Sequence, residues 1–469
     1  VTTANGLHTR LTSAIRKRQL FKPGDTLIIG LSGGADSTAL LDLLTTLPAF
    51  PLRLVAAHLN HCLRGQDSDN DEQFCRGLAA RYNVPFESRR VDVKAVANRE
   101  SLNLEDAGRR ARITFFDELL ITWQAAAVVL AHHADDQAET LLMRLLRGSG
   151  MSGLAGMPWC NGRGYIRPML CISRVEIEAY LAERRLNWRE DTSNLDITFL
   201  RNRIRHELLP LLERYNPAVR KALTTTADIL SEEDALLDAR MRQAAEQVCR
   251  FSEIDVTCDI TLFKSHPLAL QRRLIRLMLS RITGSLEQIS HRHLENILKM
   301  VTAARPNLRI NLPRGLVAVR EYDRLVIKAK DETGLSTAEI TIPGPGIYQL
   351  FCGASIRIEI STPPLNPGGN LATAYFDSDR MPFPWCVRTF RPGDRIQPLG
   401  MSGKKKVKDI FIDEKIPLAR RALIPLVFCG DELIWLVGLR TSHLARVDSL
   451  SFRIVTVFFS APGSAGTVI

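Results

Sequence analysis

Thr26-Leu27-Ile28-Ile29-Gly30-Leu31-Ser32-Gly33-Gly34-Ala35-Asp36-Ser37 is the stretch that decides the fold. Its unbroken apolar run reads as a strand buried on both faces, and two adjacent glycines then turn the chain into a helix from Thr38 to Leu47. Glycine lets successive backbone N–H groups converge with no Cβ in the way, forming a nest for phosphate oxygens. The helix opening near Ser37 adds its N-terminal partial positive charge, and the hydroxyls of Ser32 and Ser37 add donors. No G-x-x-x-x-G-K-[ST] is present, so the loop is not of the Walker type. An aspartate here repels phosphate unless Mg²⁺ lies between them, which makes Asp36 an expected metal ligand. Ser32, Gly33, Gly34, Ala35, Asp36 and Ser37 are thus the expected nucleotide contacts.

Outward from this loop, further apolar runs at 52–59, 85–91 and 126–131 read as strands, separated by helical stretches around 69–82 and 102–121. This β-α-β-α order predicts an α/β domain with a doubly wound, mostly parallel sheet, whose ligands sit beyond the carboxyl ends of the strands. Polar residues cluster at those ends. The second strand closes on His58 and Asn60, with Arg64 just beyond, and a structural role for His58 weighs evenly against nucleotide contact. The fourth closes on His132-His133-Ala134-Asp135-Asp136 at a helix start. Capping explains one of the two aspartates; a second Mg²⁺ ligand, Asp136, or a site for a substrate amine explains the other. Glu105 and Arg109 are spaced as a helix-surface pair, and Arg112, one turn on, is expected to face the phosphates.

Beyond the sheet, residues 148–164 contain six glycines and read as a loop, and Ser173 with Glu176 forms a capping box. Residues 1–216 are therefore expected as the catalytic domain and 217–330 as an all-helical middle domain, with a helix start at Ser231. Residues 331–370 read as linker and β segment, and 371–469 as a small basic α+β domain. Arg201, Arg203 and Arg205 could clamp an RNA backbone or pair with Glu207 and Glu213 on a solvated face. In 388–421 ten Lys/Arg face four Asp/Glu, and Arg391, Lys404, Lys405, Lys406 and Lys408 are candidate phosphate contacts.

The net charge of +11 points to a polyanionic partner, and 45% hydrophobic residues exclude wholesale disorder. The nine cysteines contain no C-x-x-C, which argues against a zinc ribbon or redox pair and for a reducing, cytoplasmic setting. Neither a secretory signal nor a membrane span is expected.

Taken together, the motifs resemble a known family. SGGADS (32–37) is similar to the PP-loop of the N-type ATP pyrophosphatases. HLNHCLRG (58–65), EDAGRRAR (105–112), AHHADDQAETLLMRLLRGSGMSGLAGM (131–157), EDTSNLD (190–196), RNRIRHELLP (201–210) and the segment 388–421 resemble the bacterial tRNA(Ile)-lysidine synthetases. Gly108 and Ile113 stand where that pattern has Ala and Tyr. The resemblance spans nearly the whole chain. It implies ATP and Mg²⁺ as cofactors, and adenylation of the wobble cytidine in the CAU anticodon of an isoleucine tRNA followed by attack of free L-lysine. It also implies Asp36, Arg112, His133, Asp135 and Asp136 as catalytic residues and allows a homodimer. Other readings are a PP-loop thiolase, an amide-forming relative, or a non-catalytic RNA-binding protein.

Overall fold

Residues 4–48, 50–190, 198–330, 339–351, 353–361, 372–448 and 451–461 are described by the computed structural model. The chain divides into two units, 1–238 and 239–469. No helix among the described residues is long and apolar enough to cross a membrane.

The first unit begins with α1 (Ala4–Arg18), β1 (Thr26–Gly30), α2 (Ala35–Thr45), β2 (Arg53–Asn60), α3 (Gln66–Arg81) and β3 (Phe86–Arg90). It continues through α4 (Val93–Glu100), α5 (Leu104–Thr122), β4 (Ala127–Val129), α6 (Ala134–Leu146), α7 (Met151–Leu154), β5 (Tyr165–Ile166) and α8 (Arg174–Glu183). The sheet is parallel throughout, in the order β3-β2-β1-β4-β5. Strand order reverses at β1, so the crevice expected to take ligands opens between the carboxyl ends of β1 and β4.

Side-chain alternation builds the two covered faces. Leu27, Ile29, Leu54, Ala56, Ala127, Val129 and Ile166 pack in one core with α1, α2, α3 and α8. Ile28, Val55, Ala57, Leu59, Val128 and Tyr165 pack in another with Phe115, Phe116 and Leu119 of α5. A strand buried on both faces needs apolar residues at every position, which is the unbroken run in the sequence. The glycine-rich stretch 148–164 is not wholly loop, because α7 forms within it.

After the first sheet come α9 (Leu200–Arg203), a π turn (Ile204–Leu208), α10 (Leu209–Tyr215) and α11 (Val219–Val248). Ser231 starts no helix: it lies inside the 30 residues of α11, where good helix formers on either side outweigh the capping preference.

The second unit corrects the all-helical reading of 217–330. Helices do dominate up to Thr302, with α12 (Ile260–Ser265), α13 (Leu268–Thr283) and α14 (His291–Thr302) following α11. But β6 (Cys249–Phe251), β7 (Asp255–Asp259), β8 (Asn307–Leu312), β9 (Leu316–Glu321) and β10 (Arg324–Ala329) form an antiparallel sheet in the order β6-β7-β10-β9-β8. Short strands such as the three residues of β6 show too little alternation to be told from the helical runs around them.

Of the segment 331–370, residues 331–338, 352 and 362–370 lie outside the described residues. The rest contributes strands to the C-terminal sheets. Glu339–Ile342 pairs with Trp385–Arg388, and Ser355–Ser361 pairs with Ile454–Ser460. Two antiparallel sheets enclose a core containing Phe376, Trp385 and Trp435.

Candidate active site

Gly33 turns the chain out of β1 with φ of +84°, a left-handed conformation that glycine adopts without strain. A Cβ there would also lie 3.2 Å from Cys75 Sγ, so the loop is closely backed. Gly34 is the N-cap of α2. The Ser37 hydroxyl donates to the Gly34 carbonyl at 3.0 Å and accepts from the Ser32 N–H at 3.2 Å. Ser32 and Ser37 hydroxyls lie 3.1 Å apart. The loop residues expected from the sequence thus form one turn on a helix N-terminus, with Ala35 and Asp36 in the first turn of α2.

Facing it, the end of β4 runs extended through His133, the N-cap of α6. The same alternation that sorts the cores puts His133 on the phosphate-loop side. Its Nε2 lies 3.7 Å from Asp36 Oδ1 and 3.5 Å from Asp136 Oδ2, and its Nδ1 lies 3.6 Å from Asp135 Oδ2. Asp136 does the capping, accepting from the His133 N–H at 3.0 Å. Asp135 accepts from the Arg174 N–H at 2.7 Å and from Arg220 Nη1 at 2.8 Å. Arg174 Nη1 in turn donates to Asp36 Oδ1 at 2.7 Å.

Burial pushes the Asp36 carboxyl above its ordinary value, against the pull of His133 and Arg174. Burial opposes ionisation at Asp135 and Asp136 too, but His133 and the arginines outweigh it and hold both below the usual carboxylate range. Burial likewise works against charge on His133, yet the surrounding carboxylates raise its pKa. The site therefore stabilises positive charge at the point where Asp36 and Asp136 converge. Among the described residues no group of three or more His, Cys, Asp or Glu side chains makes a protein-only metal cage. Mg²⁺ needs none, being held through one or two carboxylates with water and phosphate oxygens, and the hard oxygens of Asp36 and Asp136 fit it.

His58 and Asn60 alternate onto the same side of β2 as Leu54 and Ala56, which is the side of the phosphate loop. His58 is buried with Nδ1 2.9 Å from the Leu31 carbonyl. Asn60 is spent on Ser68, Asp69, Glu72 and the Cys62 N–H. Both therefore hold the strand end together. Arg112 belongs to α5, on the opposite face of the sheet from the phosphate loop.

Arg201 and Arg205 are turned onto carboxylates: Arg201 donates to Asp136 at 2.7 Å and Glu139 at 2.8 Å, and Arg205 to Glu139 at 2.6 Å. Neither the Glu207 nor the Glu213 pairing applies to them. Arg203 is exposed, 3.9 Å from Glu207. Arg391 meets Glu339 at 2.8 Å, Lys404 meets Glu432 at 2.6 Å and Lys405 meets Asp413 at 2.5 Å; Lys406 and Lys408 are exposed. Of EDTSNLD, Asp191 to Asp196 lie outside the described residues.

Three residues of the cluster escaped the sequence reading: Arg174, Arg220 and the fully buried Glu139. Glu139 could have been found, since it follows Asp136 by one helical turn and so faces the same way. For the arginines no local signal exists.

Comparison with known proteins gives three family matches. The PP-loop domain matches residues 6–212, the TilS substrate binding domain 259–326 and the TilS substrate C-terminal domain 386–452. A tRNA(Ile)-lysidine synthase of Geobacter sulfurreducens is 46% identical over 442 residues, covering 93% of this chain and 94% of its own. That of Dehalococcoides mccartyi is 37% identical over 476 residues, covering 97% and 99%. That of Clostridium tetani is 33% identical over 452 residues, covering 95% and 96%.

Proposed function

The chain belongs to the tRNA(Ile)-lysidine synthase family, and from that premise we propose that it joins free L-lysine to C2 of the wobble cytidine in the CAU anticodon of tRNA(Ile). The observation that supports this best is the convergence of the Gly33–Gly34 loop, Asp36 and the acidic start of α6 at one pair of strand ends.

The cytosine C2 carbon is a poor electrophile until its oxygen becomes a leaving group. The oxygen attacks the α-phosphate of ATP, the bond to the β-phosphate breaks, and pyrophosphate departs. The lysine ε-nitrogen then attacks C2, the C2–oxygen bond breaks, AMP leaves and the amine loses a proton. The loop N–H groups and Ser32 and Ser37 hydroxyls bind the phosphates. Asp36 and Asp136 would hold Mg²⁺, which when bound neutralises the charge of the pyrophosphate. The incoming ammonium has a reference pKa of ~10.4, so it needs a carboxylate neighbour to bind it and a route for its proton. Asp135, Asp136 and His133 are the candidates for those tasks. The product would read AUA in place of AUG and carry isoleucine in place of methionine.

The test is transfer of radiolabelled lysine to total bacterial tRNA in the presence of ATP and Mg²⁺. Label should appear in one isoleucine tRNA, and Asp36→Ala should abolish it while tRNA affinity stays nearly intact. ATP consumption without lysine transfer would point to different PP-loop chemistry, and no ATP use to a binding protein.

A further inference from the structure

The acidic cluster uses one side of the strand ends; the other side carries the opposite charge. On β2, Leu59 packs toward α5, so His61, two residues on, falls on the same side. A Cβ at Gly108 of α5 would lie 3.6 Å from its ring. On β4, Val128 and Leu130 pack toward α5, and His132 continues that side while His133 faces Asp36. On β5, Tyr165 takes the α5 side and Arg167 follows it. Arg112 projects from α5 itself.

Three of the seven buried side-chain atoms lacking a hydrogen-bond partner among the described residues are here: His61 Nδ1, His132 Nδ1 and Arg167 Nε. Arg109, Arg112, Arg144 and Arg167 form no ion pair among the described residues, in contrast to Arg174, Arg201, Arg205 and Arg220 across the sheet. Their charges act on one another and on the rings. Burial, with Arg112 beside them, lowers both imidazoles to about 4, and Arg109 bears on Arg112 and Arg167. Glu105 bears on Arg112 and Asp136 on His132, but among the described residues no carboxylate pairs with the four guanidiniums. Gathering like charges with orphaned nitrogens is unfavourable without a paired counter-charge.

We propose that His61, Arg112, His132 and Arg167 line a pocket for an oxyanion, and that its occupant is a phosphodiester of the RNA substrate. This rests on the proposed tRNA-modifying function. A carboxylate and a phosphodiester each carry one charge, but an amino acid brings a single carboxylate. An RNA strand brings further phosphates on either side of the one held, which answers the spread of guanidiniums around it. A phosphate held here would set the anticodon backbone on one side of the strand ends while the reacting base reaches the phosphate loop on the other.

The experiment uses the full chain as wild type, Arg167→Gln, Arg167→Lys and His132→Gln. It measures tRNA affinity by filter binding between ~50 and ~200 mM salt, with calorimetric Kd values for ATP with Mg²⁺ and for lysine. Arg167→Gln should weaken tRNA binding about tenfold at ~0.1 M salt and lower the slope of log affinity against log salt by about one. Arg167→Lys should restore the slope, and His132→Gln should weaken binding with the slope kept. ATP and lysine affinities should not move. An unchanged slope together with loss of lysine or ATP affinity would give the pocket to the amino-acid carboxylate or the nucleotide and overturn the RNA assignment. No change in any affinity would overturn the pocket altogether. Failure of the wild type to bind tRNA would sink the proposed function with it, whereas intact lysine transfer with an unchanged slope sinks the pocket alone.

Discussion

Asp42 sits within the apolar run Ala39–Leu44 of α2 and has no exposed surface. It accepts from Tyr82 Oη at 2.6 Å, from Tyr180 Oη, and from Arg184 Nε and Nη2 at 3.2 Å each. This one carboxylate ties α2, α3 and α8 together behind the phosphate loop. Arg184 reaches solvent, so what Asp42→Ala leaves behind is the buried Tyr180 hydroxyl without its acceptor, and the variant should lose about 1–3 kcal/mol in urea unfolding at pH 7. Burial alone would raise the Asp42 pKa, but the hydrogen bonds from Arg184, Tyr180 and Tyr82 outweigh it and hold it low. The folded state therefore binds fewer protons than the unfolded chain. The stabilisation is complete above the ordinary aspartate value of ~3.9 and fades as pH falls through the lower folded value. The stability gap between wild type and Asp42→Asn should narrow below about pH 4; a gap constant with pH would contradict the ionised network.

At the scale of the element, α2 begins at Ala35, ahead of the expected Thr38, because the Gly34 turn lets the helix open at once. By contrast, α8 and α5 start at the caps their sequences carry. Ser173 and Glu176 close the capping box of α8, with the Ser173 N–H donating to Glu176 at 2.9 Å. Asn103 caps α5, accepting from the Asp106 N–H at 2.8 Å. Within α5, Gly108 stands in the helix interior, and the nearest neighbours of an added Cβ would be His61 at 3.6 Å and Val93 at 3.7 Å, ordinary contacts. Gly108→Ala should therefore stabilise the protein by about 0.5–1 kcal/mol through the unfolded chain's lost freedom. Thermal or urea unfolding measures this, and a destabilised variant would mean that His61 cannot tolerate the methyl group. These signals were legible because a cap involves residues three positions apart. The strands of the second unit were less so: Leu316–Glu321 and Arg324–Ala329 pair as a hairpin that follows a run of helices ending at Thr302, whose period set the pattern for the stretch.

For the whole molecule, the net charge of +11 is unevenly spent. In 388–421, Arg388 bonds Asp394 at 2.7 Å and stacks 4.0 Å over Phe428, and Arg421 is buried with Nη2 3.1 Å from Tyr322 Oη. Those cations build the domain. Lys404, Lys405 and Lys406 stay at the surface, and exposed ion pairs such as Lys404–Glu432 are worth only ~0–1 kcal/mol, too little to hold them from a phosphate. Replacing the three by Gln should weaken tRNA binding and flatten its salt dependence by about one unit for each lysine that meets a phosphate. An unchanged slope in the same binding assay would assign the run to solvation. The division of labour between the arginines at the strand ends was not legible at all. Arg201 and Arg205 looked like an RNA clamp, yet they neutralise Asp136 and Glu139 from 62 to 69 residues away.

The sequence by itself determined the parallel sheet, the Gly33 turn, the absence of a Walker lysine and the acidic start of α6. Each follows from residues within a few positions of one another, where side-chain period and backbone preference act directly. Only the tertiary structure decided the partners of the charges. Arg174 reaches Asp36 across 138 residues and Arg220 reaches Asp135 across 85. It also decided which of the two histidines, set on opposite sides by strand alternation, meets Asp36 and which lies on the α5 side. A charge acts strongly only over a few ångströms, and which charges come that close depends on the path of the whole chain.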